Sequence, residues 1–189
     1  MRALALAALV AAVLAGSATA EPWVDPNGNL TIDAPRGWTV RPQRMQGGSA
    51  VLAFTPSSDC FFFGIPNPAS AGRSVTAVRN SVTPLSESAW ATALQAAPDF
   101  AAAGAVSLTS HSVDTSGFWP VQRAQLQAGS RTIHGVIEVR PGFELRGFCS
   151  GGDASYDAIL NTLGHPRDQE WQAAAPAAPA QQPAPSQQQ

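Results

Sequence analysis

Two cysteines, Cys60 and Cys149, stand 89 residues apart in a chain whose first residues read as an export leader. Met1-Arg2 is a short positive start, Ala3 to Ala15 is an apolar run, and Ala18-Thr19-Ala20 is the small-x-small pattern that signal peptidases cut. Residues 1–20 therefore read as a cleaved signal peptide, and the mature chain is expected to begin at Glu21. Gly16-Ser17 interrupts the apolar run before the roughly 18 residues that a membrane span needs. No cysteine lies at the cut, so a lipid anchor is not expected, and the Ala-rich, Lys-free composition points to a bacterial periplasm or secretion. Thiols oxidise there, and without a C-x-x-C spacing the pair reads as one structural bridge rather than a redox or metal site. Its two Cα atoms must then lie within about 4.4 to 6.8 Å. Early and late segments have to be neighbours, which a single closed domain allows and two separate halves do not. In the chain-entropy model a loop of this length stabilises by about 4 to 5 kcal/mol.

The foldable part, residues 21–165, has the size of one domain and is long enough to bury a self-sufficient core. Residues 166–189 read as a disordered Pro/Ala/Gln-rich tail, because from Gln172 onward only Ala, Pro, Gln and Ser occur. All 11 basic residues are arginine and the net charge is -2, so the chain carries no basic stripe for nucleic acid.

Local patterns predict mostly strands. Pro22, Pro26 and Asn27-Gly28 read as an irregular lead-in and a turn. Leu30 to Asp33 and Trp38 to Val40, joined through Pro35-Arg36-Gly37, are expected to form a first hairpin. Ala50 to Phe54 and Cys60 to Ile65 read as a second strand pair. In that pair Phe62 points away from Phe61 and Phe63, so both faces of the strand need cover. Ser86 to Ala97 switches to helical period, with Ser86 as cap, an apolar stripe through Trp90 and Leu94, and Pro98 as its end. This is the first helix expected. Four more strands follow at 106–113, 118–127, 132–140 and 143–149. A three-residue loop at Pro141-Gly142 would set Arg140 opposite Glu144, Glu138 opposite Arg146 and Val139 against Leu145. Asp153 is expected to cap a closing helix that buries Tyr156, Ile159, Leu160 and Leu163.

Leu30, Ile32, Pro35, Gly37, Trp38 and Val40 near the mature start, followed by a Trp-containing helix, an antiparallel meander and the closing helix Tyr156 to Leu163, resemble the PsbP/Mog1/DcrB superfamily over about Asn29 to Gly164. The resemblance implies an α+β fold, a single antiparallel β-sheet with helices packed on it as an α/β/α sandwich. It also implies a non-catalytic binding or accessory role. The Cys60/Cys149 pair and the tail depart from that pattern.

Three sets of residues are candidates for chemistry. Gly147-Phe148-Cys149-Ser150-Gly151 fits G-x-C-x-G between a strand and a helix, with His165 and Asp168 following in permitted order for base and acid. That reading, a small cell-envelope hydrolase with Cys149 as nucleophile, fails if Cys149 is in a disulfide. His111, His134 and His165 are the chain's imidazoles, and no two are spaced to share a helix face, so no metal or other cofactor is expected. Trp119, at a strand start between Phe118 and Pro120, could share a groove with Arg123 suited to a small anionic or peptide ligand. The sequence thus leads to an exported accessory or binding protein with a small molecule or an envelope protein as partner. An interaction protein acting through its Pro/Gln-rich tail is the other alternative.

Overall fold

The computed structural model of the chain describes residues 22–101, 104–151 and 156–175. The expected leader, the Asp153 cap and the last residues of the tail lie outside them. Within these residues the strands expected after residue 49 all form. β4 (Ser49–Phe54), β5 (Ser58–Pro66), β6 (Val106–Asp114), β7 (Val121–Ala128), β8 (Arg131–Arg140) and β9 (Phe143–Gly151) join β3 (Thr39–Gln43) in one antiparallel sheet, ordered β3-β4-β5-β9-β8-β7-β6.

The period-two reading of the aromatic strand holds. Phe61 and Phe63 enter one core with Trp90, Leu94, Phe100 and Phe148, while Phe62 enters another with Leu30, Ile32, Ile159 and Leu160. The first face is covered by α2 (Glu87–Gln95) and α3 (Pro98–Ala101). Ser86 caps α2 as expected, its hydroxyl accepting from the Ala89 N–H at 3.2 Å. A shorter helix, α1 (Val75–Arg79), precedes it under its own cap, Ser74, so α2 is not the first helix. Pro98 does not merely end α2; it opens α3, where its missing N–H has no cost.

The fold is not a single sheet. β1 (Pro22–Val24) and β2 (Thr31–Asp33) form a separate two-stranded ribbon, so the expected lead-in is a strand and the expected hairpin of residues 30–33 with 38–40 does not form. The reason lies in Leu30 and Ile32, both fully buried. They reach the core only if their segment lies across the face of the large sheet rather than in its plane. Thr31 and Gly164 fix it there by exchanging backbone hydrogen bonds at 2.8 and 2.9 Å, next to α4 (Tyr156–Leu160).

The β8–β9 turn is also tighter than the three-residue loop expected. Arg140 faces Phe143, Val139 faces Glu144 and Glu138 faces Leu145 across a two-residue Pro141-Gly142 turn. Gly142 takes φ 83°, the value that the third position of a type II turn demands. The charges do not need cross-strand partners, because Arg140 reaches Glu138 two residues back on its own face at 2.7 Å, and Arg146 reaches Glu144 in the same way.

The described residues continue past the boundary expected at 165 and include one more helix. α5 (Asp168–Ala174) docks through Trp171, which is 5% exposed and packs with Val78 and Trp119. Asp168 accepts from the Arg140 guanidinium at 2.7 Å, and that guanidinium lies 4.5 Å over the Trp119 ring. One apolar and one charged residue give α5 the burial and pairing that the tail's composition lacks. His165, 3% exposed, is wedged between the Phe143 and Trp171 rings at 4.6 and 4.7 Å.

Cys60 and Cys149 are bonded, with Cα atoms 4.0 Å apart. This is shorter than the range expected, because the two residues stand directly opposite in the β5–β9 ladder, where narrow pairs approach to about 4.5 Å. Replacing both by serine should lower the unfolding free energy by up to about 4 to 5 kcal/mol in a denaturant titration, with native secondary structure retained. An unchanged midpoint would contradict this.

Burial pushes the His165 ring pKa from 6.5 down to about 4. Between those values the unfolded chain takes up a proton that the folded site refuses, so this contribution is complete above pH 6.5 and is lost as pH falls toward 4. Glu138 acts in the opposite sense: burial raises its carboxyl pKa above 4.5 despite Arg140, so its contribution fades as pH rises through the folded value. Comparing the parent with His165→Gln cancels the Glu138 effect. Between pH 7 and 4 the parent should lose on the order of 2 to 3 kcal/mol more than the variant; equal losses would refute the assignment.

Candidate functional site

Beyond Leu108, β6 carries polar residues on both faces, and the cover that α4 gives the large sheet stops short of it. The result is a groove of about 280 Å³ over β6, β7 and β8. The register determines which side chains line it: Ser112 stands opposite Arg123, Ser110 opposite Gln125, Gln125 opposite His134 and Arg123 opposite Val136. All of these therefore share one face. α4 closes the far wall with Asp157 and Leu160.

His134 is held by Tyr156, with 2.9 Å between Nε2 and the hydroxyl and 4.5 Å between the ring centroids. Burial, then the neighbouring Asp157, raises the Tyr156 pKa, so its hydroxyl stays protonated and available to the imidazole. Arg123 is half-buried on the groove wall, and among the described residues no carboxylate makes an ion pair with it. Of the two acids that act on it from a distance, Glu138 is paired with Arg140 at 2.7 Å, and Asp114 accepts through Oδ1 from the Ser116 N–H at 2.9 Å and from the Ser116 hydroxyl at 2.7 Å. Those bonds, with a smaller pull from Arg123, hold its carboxyl below the usual range.

The expected Trp119/Arg123 patch does not form as one surface. Arg123 lines the groove, while Trp119 is 6% exposed and fills the space between α1 and α5, edge-on to Trp171 at 6.0 Å. His111 also borders the groove. By strand alternation its ring belongs to the opposite face, where it is exposed. Among the described residues no three His, Cys, Asp or Glu side chains are grouped to hold a metal ion.

The G-x-C-x-G reading is overturned. Cys149 is fully buried and its sulfur is bonded to that of Cys60, so it has no thiolate to attack with. His165 and Asp168 do meet, but not as base and acid. The Asp168 carboxylate accepts from the His165 backbone N–H at 3.0 Å, while the ring Nδ1 accepts from the Arg167 N–H at 3.1 Å. The groove residues Ser110, Ser112, Gln125 and Asp157 are not singled out by the sequence, in which His134 counts only as an imidazole without metal-ligand spacing. Their one linear signal is the polar run Ser110-His111-Ser112, which breaks the alternation expected of a half-buried strand.

No family model matches the chain, and no curated protein sequence matches it. Among solved structures it is similar to cyanobacterial PsbP (CyanoP) from Synechocystis sp. PCC 6803, at 12% identity and a TM-score of 0.50, over 83% of this chain and 98% of that one. A protein from Bacteroides thetaiotaomicron VPI-5482 is similar at 11% identity and a TM-score of 0.45, over 80% of this chain and 50% of that one. At such identities the first likeness is one of fold, and the chain has a PsbP-like α+β architecture.

Proposed function

We propose that this chain is an exported, non-enzymatic accessory protein that binds an anionic group in the groove around Arg123. The observation that carries the reading is Arg123 itself: a half-buried guanidinium, without an ion-pair partner among the described residues, on the wall of a polar cavity. Holding an arginine partly out of water without a carboxylate in contact costs desolvation energy, and a bound carboxylate or phosphate would restore it through two parallel hydrogen bonds. Ser110, Ser112, Gln125 and His134 stand close by as further donors. The PsbP-like architecture supports an accessory role, and the locked Cys149 removes the nucleophile on which the enzymatic alternative depended. Export to the periplasm rests on the leader pattern at 1–20. A role for the Pro/Gln-rich tail rests on residues that lie mostly outside those described.

The test uses acetate and inorganic phosphate as probes on isotope-labelled protein. Both should shift the amide signals of Ser112, Arg123 and His134 saturably, and Arg123→Gln should weaken the response at least tenfold without changing the melting temperature by more than a few degrees. Shifts spread evenly over the surface, or unchanged by the substitution, would refute the reading.

A further inference from the structure

The two edges of the large sheet are built differently. β3 is five residues long and carries Arg41 and Pro42, which discourage another strand from pairing with it. β6 is nine residues long, contains no proline, lysine or arginine, and carries its one charge, Asp114, at its end. Its start is already occupied: the Leu108 N–H donates to the Glu87 carboxylate at 3.1 Å, and a bulge follows between Leu108 and Ser110. From Ser110 to Asp114 the outer side of the strand has no partner among the described residues. This open stretch is also the wall of the groove, because Ser112 stands opposite Arg123.

We infer that Ser110–Asp114 accepts an extended segment of another protein as an eighth strand, and that Arg123 selects a segment carrying an acidic side chain. The inference rests on the anion-binding reading of Arg123 and names its ligand. Backbone pairing along an edge gives affinity without sequence preference, and a pocket beside it supplies specificity through alternate side chains. Strands lie about 4.8 Å apart, so the residue pairing with Ser112 would sit about 10 Å from the Arg123 backbone, on the same face. An arginine and a glutamate side chain reach across that gap together. The small side chains of Ser110 and Ser112 leave the space between them clear. Of the acids that act on Arg123, Asp114 is engaged with Ser116 and Glu138 with Arg140, while Asp157 lies on the opposite wall.

The probe is a seven-residue peptide of alternating threonine and valine with a central glutamate, compared with a twin carrying lysine there. Successive N–H groups along a strand point alternately to the ladder and outward, so Ser110→Pro and His111→Pro are both made. The one that keeps the parent melting temperature serves as the blocked edge. The glutamate peptide should shift the amides of Ser110–Asp114 and bind at least tenfold more tightly than its twin. Arg123→Gln should remove that preference while the strand shifts persist, and the blocked edge should lose both peptides. No shift along β6, no preference for glutamate, or binding indifferent to the blocked edge would overturn the inference. So would a dimer in sedimentation that the blocked edge dissolves, since a second copy would then own the edge. A blocked edge that still responds to acetate would leave the anion groove standing; loss of the acetate response in the parent would remove both.

Discussion

The pairing of β5 with β9 is the contact on which the rest of the molecule depends. It runs from Ser58↔Gly151 to Pro66↔Phe143 and is the place where the N-terminal strands β3–β5 meet the C-terminal meander β6–β9. Without it there would be two small sheets, each with an uncovered aromatic edge. With it, both faces become large enough to hold a core: Phe63 and Phe148 lie beneath Trp90 on one side, and Phe62 lies beneath Leu160 on the other. The closeness of the seam shows at Gly147, where an added Cβ would stand 2.8 Å from the Phe62 ring and 3.0 Å from Leu160. Only glycine lets that ring lie flat on the neighbouring strand. The Cys60–Cys149 bond closes the same seam covalently, within the second core.

Most of what forms locally was legible in the sequence. Short apolar, aromatic-rich runs located β4 and β5, alternation located β6 to β9, Ser86 announced α2, and Tyr156, Ile159 and Leu160 announced the closing helix. The spacing of the two cysteines correctly demanded that β5 and β9 be neighbours. What failed depended on contacts distant in sequence. Leu30 and Ile32 look like half of a hairpin, and only the uncovered face of the large sheet decides that they lie across it. The β8–β9 register turned on whether Arg140 would find its acid across the strand pair, along it, or on α5; it took the last two. α5 was hidden because two informative residues, Asp168 and Trp171, precede a long stretch of uninformative ones.

The groove was the least legible feature for a related reason. It is built from single polar residues on three strands, each ordinary in its own context, and only the register sets Ser112, Arg123 and His134 on one face. The same architecture that unites the molecule at its centre leaves its far end thinly covered. α4 and the β1–β2 ribbon cover the disulfide side of the large sheet as far as Val136, and α5 closes the end near Trp119. The strands farthest from the seam are left with water on one face, which is where a binding surface costs the core nothing.

Native-state hydrogen exchange tests the central claim most directly. If the β5–β9 seam unites the fold, the slowest amides, those that open only with global unfolding, should lie in β5, β9 and β8, while β3 and β6 exchange through cheaper local openings. If instead the β5–β9 amides exchange through a partial opening that leaves β6–β8 protected, the molecule is two separately stable halves joined by a disulfide, and the account is wrong.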